Sequence, residues 1–225
     1  LQMQRRLECI GFDDNGRLTR IPGPEPDDIG RVYVYRTGAG YSFLLRSGVS
    51  AEVAASLQAL GAEAAFADAS AVLALLASDA ASSDEEVEVS RWRTYRLTAP
   101  DPATCEGVIT LTEANRPQME AYHPGMVLEE RPVHALLVDD PEGERVIAAT
   151  CASIRENDEV AEAYVFTCAE WRRRGFGRRV TAAWVAGVLA EGKVPLYSHA
   201  LDNTASARLV ASMPAEFCFE AVVYG

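Results

Sequence analysis

A mixed α/β chain in two parts, a small N-terminal α/β module followed by a larger domain built on a mixed sheet flanked by helices, is predicted by three observations. Short apolar-alternating runs separated by Asn-Gly and Gly-rich turns fill the first fifty residues, as in hairpins. From Val87 to the end, runs with strand character alternate with runs of helical period. Between them Ser82-Ser-Asp-Glu-Glu86 gathers small polar and acidic residues, which places a boundary near residue 85. The length of 225 residues and 48% hydrophobic content allow one large domain or two small ones, each able to bury a core.

In order, Leu7 to Phe12 and Arg17 to Ile21 read as strands around the turn Asp13-Asp-Asn-Gly16. Ile21-Pro-Gly-Pro-Glu-Pro-Asp-Asp28 is a loop, because its prolines cannot donate to a ladder. Arg31 to Arg36 and Tyr41 to Arg46 form a second hairpin around Thr37-Gly-Ala-Gly40. Ser50 caps a helix to about Leu60 that Gly61 closes, and a second helix runs from about Asp68 to Ala77. Beyond the boundary come a strand from Val87 to Thr98 and a helix from Glu113 to Tyr122, which His123-Pro-Gly125 ends. His134 to Val138, Arg145 to Ile154 and Ala161 to Cys168 are three strands of a meander with turns at Asp139-Asp-Pro-Glu-Gly143 and Asn157-Asp158. A helix extends to Ala190, with Val180, Trp184 and Val188 four apart on one apolar stripe. Val194 to His199 is a strand, Asp202 to Met213 a helix stopped by Pro214, and Glu216 to Tyr224 a last strand.

A formal charge of −12 argues against nucleic acid or an anionic membrane surface as the main partner, since both reward basic faces. The five cysteines Cys9, Cys105, Cys151, Cys168 and Cys218 are dispersed and odd in number, which points to a reducing cytoplasm rather than a disulfide framework. His123, His134 and His199 show no ligand spacing, so no metal is expected. Apolar stretches stop well short of the ~20 residues of a spanning helix, and no signal-peptide layout opens the chain. Of 21 basic residues only Lys193 is lysine, a bias typical of GC-rich bacterial coding.

Chemistry concentrates where the third meander strand meets its helix, at Arg172-Arg-Arg-Gly-Phe-Gly177 followed by Arg178 and Arg179. Gly175 and Gly177 let successive backbone N–H groups turn to one concave face, and the start of the helix adds its own unpaired N–H groups and dipole. Arginines at 172, 173, 174, 178 and 179 supply charge-assisted donors. A pyrophosphate fits such a site. The loop is neither G-x-x-x-x-G-K-[ST] nor the Rossmann G-x-G-x-x-G, whose third glycine position is Val180.

Arg172-x-x-Gly175-x-Gly177 after an apolar strand resembles the acyl-CoA pyrophosphate loop, [QR]-x-x-G-x-[GA], of the GCN5-related N-acetyltransferase (GNAT) superfamily. Thr167-x-Ala-Glu-Trp171 resembles that family's strand end and turn, Pro195-Leu-Tyr-Ser198 its next strand, and Asn203-x-x-Ser206 the start of its following helix. The agreement covers about Ala161 to Phe219, and more loosely from Arg91. The resemblance implies a GNAT-like mixed sheet over Val87 to Gly225, with two central strands that splay apart and admit pantetheine. Pro195, without an N–H to donate, suits that place, as it also suits the start of any strand. The resemblance further implies acetyl-CoA as co-substrate, held by Arg172, Arg173, Arg174, Gly175, Phe176, Gly177, Arg178 and Arg179, by main-chain groups of Val165, Phe166 and Thr167, and by Asn203 and Ser206. As plain local structure, Asn203 is equally a helix N-cap.

Direct transfer to an amine needs a base, an oxyanion site and a proton for the leaving thiolate. Glu162, flanked by Ala161, Ala163 and Tyr164, is the candidate base, with pairing to an arginine as the alternative. For the acid, many family members carry a tyrosine seven residues past the asparagine, where this chain has Val210; Tyr197, His199 and Ser206 are the local substitutes. The reading is an N-acetyltransferase moving acetyl from acetyl-CoA to a small-molecule or peptide amine, with a homodimer allowed. The alternative is a catalytically silent acyl-CoA-binding or protein-interaction module. The N-terminal module carries no motif and is expected to help shape the acceptor side.

Overall fold

The structure is a computed structural model that describes residues 11–12, 14, 16–20, 30–79, 87–122 and 132–225. The strands are β1 (Gly11–Phe12), β2 (Leu18–Arg20), β3 (Val32–Thr37), β4 (Gly40–Leu45), β5 (Val89–Leu97), β6 (Val108–Thr110), β7 (His134–Asp139), β8 (Arg145–Glu156), β9 (Val160–Thr167), β10 (Val194–Ala200) and β11 (Ala215–Tyr224). The helices are α1 (Ala51–Leu60), α2 (Ala62–Ala67), α3 (Ala69–Ala77), α4 (Arg116–Tyr122), α5 (Phe176–Ala190) and α6 (Thr204–Ala211). This is the mixed α/β architecture the patterning predicts. The part of the first strand before Gly11, turn residues Asp13 and Asn15, the loop Ile21–Asp28, the boundary Ser82–Glu86, the helix stop His123–Gly125 and Cys9 lie outside the described residues.

Contacts divide the chain into two units. One comprises Leu1–Tyr95, Ser198–Asn203 and Phe217–Gly225; the other comprises Arg96–Tyr197 and Thr204–Glu216.

In the first unit the β3–β4 hairpin pairs from Val32↔Leu45 to Thr37↔Gly40, and β11 lies antiparallel along β3 from Phe219↔Thr37 to Tyr224↔Val32. The order is β4-β3-β11-β5, with the end of β10 beside β5. Val32, Val34, Val222 and Tyr224 from the strands pack with Val53, Leu57, Phe66 and Leu76 from the helices. The Ser50 hydroxyl accepts the Val53 N–H at 3.2 Å, the predicted cap of α1. Gly61 ends α1, but only as a one-residue break: the alanine-rich run resumes at once as α2, an element the sequence reading left unassigned. Buried charge is paired. Asp79 receives Arg31 Nη2 at 2.8 Å, and Glu220 receives Arg36 and Arg93 at 3.0 Å each.

In the second unit β7, β8 and β9 form the predicted antiparallel meander. Its order is β10-β9-β8-β7-β6. The edge strand β6 pairs Val108↔Leu136 and was not foreseen, because three residues carry too little period to read. Helix α5 packs on β7, β8 and β9 through the stripe of Val180, Trp184 and Val188, all buried. Trp184 Nε1 donates to Ser153 Oγ at 3.1 Å, so the indole is buried without losing its hydrogen bond. On the opposite sheet face α4 buries Met119 against Ala135 and Ile147. The predicted helix from Glu113 starts instead as a 3-10 turn over Glu113–Asn115, and α4 follows it. Among the described residues no helix is long and apolar enough to cross a membrane, no group of side chains has metal-ligand geometry, and Cys105, Cys151, Cys168 and Cys218 are free thiols.

Candidate functional site

The site is built where β9 runs out of partners on one side. The parallel pairing of β10 with β9 holds only for Val194↔Val160, Pro195↔Ala161 and Leu196↔Glu162, while β9 goes on pairing with β8 as far as Thr167↔Ala149. Pro195 therefore sits inside the paired stretch, one residue before it ends. The Cys168 N–H bonds to the Ala148 carbonyl at 3.0 Å. By the alternation of an antiparallel ladder, Phe166 turns its main-chain groups toward β8, whereas Val165 and Thr167 turn theirs to the side on which pairing with β10 has ceased. Of the three positions predicted to offer N–H groups, these two face the right way.

The chain then passes through a 3-10 turn at Ala169–Trp171 into the glycine loop. Gly175 is the N-cap of α5, with φ 78° in the left-handed region, and no side chain caps the helix. The first intrahelical acceptor is the Gly175 carbonyl, bonded by Arg179 N at 3.2 Å, so the amides of Phe176, Gly177 and Arg178 are the orphan donors of the helix start. Arg173 also has positive φ (63°), and among the described residues it is the only such residue besides glycine. Strain of this kind gathers at sites where backbone must be aimed.

Gly177 closes the cradle from below. A Cβ built on it would lie 3.3 Å from Thr167 Oγ1 and within 4 Å of Val165 and Leu209, so strand, helix start and α6 converge there. The Thr181 hydroxyl donates to the Gly177 carbonyl at 2.7 Å and steadies the first turn.

The arginines divide into two groups. Arg172 Nε donates to the Thr167 carbonyl at 3.1 Å, Arg174 lies over the Trp171 ring at 4.6 Å, and Arg179 donates to the Glu106 carbonyl. These three hold the loop. Arg173 and Arg178 are exposed and have no partner among the described residues, which leaves their guanidinium groups for an anion. Uncapped helix amides, a left-handed glycine and two uncommitted arginines fit a pyrophosphate.

Glu162 is the last residue of β9 that pairs with β10 and is 3% exposed. Arg155 grips its carboxylate through Nε at 2.9 Å and Nη2 at 2.5 Å. The pairing alternative is thus what the structure contains. Tyr197, 4% exposed, hydrogen-bonds the side chain of Ser206, which brings two of the acid candidates together. Burial raises the Tyr197 pKa and the bond to Ser206 offsets part of that, so the phenol keeps its proton. Val210, one turn after Ser206 on α6, is buried.

In the first unit His199 is buried and stacks on Tyr95 with ring centroids 5.8 Å apart. Its Nδ1 lies 2.8 Å from the Ala200 carbonyl, and its Nε2 has no hydrogen-bond partner among the described residues. Asn203 precedes α6, and its N–H bonds the Ala200 carbonyl at 3.0 Å.

One residue of the site was missed. Tyr122 of α4 reaches Thr150 Oγ1 at 3.2 Å and the Phe166 carbonyl at 3.4 Å, and its ring meets Phe166 edge-on at 5.7 Å. Burial pushes its pKa up. Position 122 is 44 residues from Phe166 along the chain, and only the packing of α4 onto the sheet could have brought the two together.

No family model matches the sequence, and no curated protein matches it. Solved structures do. A GNAT-family protein from Novosphingobium aromaticivorans is 23% identical, with a TM-score of 0.49 over 62% of this chain and 66% of that one. A GNAT-family acetyltransferase from Colwellia psychrerythraea is 11% identical, with a TM-score of 0.48 over 62% and 57%. A GCN5-related N-acetyltransferase from Kribbella flavida is 20% identical, with a TM-score of 0.43 over 62% and 59%. The chain spans less than two thirds of the length of each. Over about 62% of its own length, it is similar in fold to structures of the GNAT family.

Proposed function

We propose that this chain is an acyl-CoA-dependent N-acyltransferase that moves acetyl from acetyl-CoA to an amine. One observation carries the reading: a strand deprived of its neighbour at Val165 and Thr167 runs into a left-handed glycine and an uncapped helix start, so that amides for an acyl-pantetheine and for a pyrophosphate lie in sequence along one path. Acetyl-CoA supplies an activated acyl group: the amine forms the new C–N bond as the C–S bond breaks, and the proton the amine loses ends on the departing sulfur. The chain's part is to hold and to move that proton. The Phe176, Gly177 and Arg178 amides with Arg173 and Arg178 bind phosphate, and the Val165 N–H donates to the acyl oxygen. Glu162, through a bridging water, takes up the proton, with Arg155 holding the carboxylate in one orientation. Tyr197, kept protonated and positioned by Ser206, donates to sulfur in place of the tyrosine that Val210 replaces.

Gly177→Asp tests the reading directly, because it puts bulk and negative charge against Thr167 Oγ1 in the cradle. Calorimetric CoA binding is expected to vanish while the circular dichroism spectrum is retained. CoA affinity equal to wild type would refute the acyl-CoA reading, and release of free thiol from acetyl-CoA with an amine panel separates the enzyme from the silent module.

A further inference from the structure

Residues 162, 164 and 166 of β9 point to the sheet face opposite α5. On that face Tyr164 is 54% exposed and Phe166 is 40% exposed, at positions where β9 still pairs with β8 but no longer with β10. The ring of Tyr122 closes edge-on against Phe166, and the buried Glu162 carboxylate ends the row. Apolar surface left open costs about 25 cal/mol per Å². Two large aromatics side by side there are therefore a surface kept for something. They also flank Val165, whose main chain is the acyl-holding group of the proposed reaction. Helix α5 covers the other face of β9, so a nucleophile approaching Val165 comes past Tyr164 and Phe166.

Resting on the acyl-transfer reading, we infer that Tyr164, Phe166 and Tyr122 form the acceptor subsite and that the acceptor is an amine bearing an aromatic or similarly flat apolar group. The chemistry of the row matches such a molecule at both ends. Ring faces and edges receive the flat group by stacking. The positive amino group is drawn by the ring faces, in a chain whose net charge is −12. Successive same-face side chains are about 6.6 Å apart along a strand, which is the span of one aromatic ring with a short linker. A long polyamine or a bare alkylamine would leave both rings wet.

The test is calorimetric titration of the full-length chain, loaded with CoA, using 2-phenylethylamine and propylamine. The aryl amine is expected to bind about tenfold more tightly. Tyr164→Ser is expected to abolish that preference, and Tyr164→Phe, which keeps the ring, to retain it. Tyr164 is more than half exposed, so neither change threatens the fold. Equal affinity for the two amines, or a preference that survives Tyr164→Ser, overturns the subsite while CoA binding in the same samples leaves the acyl-transfer reading standing. Failure of the wild-type chain to bind CoA overturns that reading and the subsite with it.

Discussion

At the scale of single residues the site is a set of decisions about protons. Glu162 is buried, and its compensation comes from Arg155, whose Nε and Nη2 both meet the same carboxylate oxygen, Oε2. If Glu162 is the base proposed above, Glu162→Gln keeps the shape while removing the acceptor of the proton. The expected result, with a true amine substrate, is a fall in kcat of about 10²–10⁴-fold with little change in acetyl-CoA affinity. A kcat equal to wild type would take Glu162 out of the mechanism. His134 poses a separate question of stability. Its ring packs where α5 has Gly187, and burial lowers its pKa because the charged imidazolium is the form deprived of water. The unfolded chain then binds the proton more tightly than the folded one. The contribution to stability is complete above the unfolded value of about 6.5 and is lost as pH falls toward the depressed folded value. Urea midpoints measured from about pH 8 down to pH 5 should therefore drop less steeply in His134→Gln than in wild type, and parallel curves would disprove this account. What sequence could and could not show about these residues follows from distance along the chain. Gly175 and Gly177 announce their role through local backbone geometry, so the loop was legible. The Arg155–Glu162 pair needed the register of the β8–β9 hairpin, and Tyr122 needed the whole sheet.

At the scale of elements, periodicity did most of the work. The stripe of Val180, Trp184 and Val188 is the buried face of α5, and each strand of the meander falls within two residues of its predicted ends, β8 running furthest past its own, to Glu156. Short or interrupted pieces escaped: β6 has only three residues, and α2 hides behind Gly61 in what reads as one alanine-rich run. Strand order within a sheet was also beyond local pattern, since the position of β5 beside β11 and β10 depends on partners more than a hundred residues away. The loop–helix junction is the element where stability and function oppose each other. Gly175 caps α5 at φ 78°, and nothing stands within 4 Å of where its Cβ would be. Gly175→Ala therefore meets no clash and suffers only the left-handed penalty, about 1–2 kcal/mol. The variant should unfold at a correspondingly lower urea concentration and bind CoA more weakly, because the amides it aims are those of Phe176 and Gly177. Full CoA affinity in a destabilised variant would show that the left-handed cap serves the helix alone.

At the scale of the whole molecule, the two units are not consecutive halves. The first unit takes its N-terminal residues together with Ser198–Asn203 and Phe217–Gly225 from the end of the chain. The C-terminal part of β11 is paired by β3, from Phe219↔Thr37 to Tyr224↔Val32, and Val222 and Tyr224 are wholly buried in a core that α1, α2 and α3 complete. The Tyr224 hydroxyl donates to the Ala65 carbonyl at 2.7 Å, and Glu220 is neutralised in part by Arg36. A fragment of residues 86–225 loses all of these at once. It leaves a long apolar strand edge open, the form of surface that drives sheet-to-sheet association, and strands a buried carboxylate with one of its two arginines gone. Expressed alone, the fragment should aggregate or unfold without cooperativity. Supplied with residues 1–85 as a separate chain, it should recover a cooperative transition, since the missing contacts are noncovalent. A soluble, cooperatively unfolding 86–225 fragment that binds CoA as the 225-residue chain does would show that the fragment does not need β3 and its helices to fold.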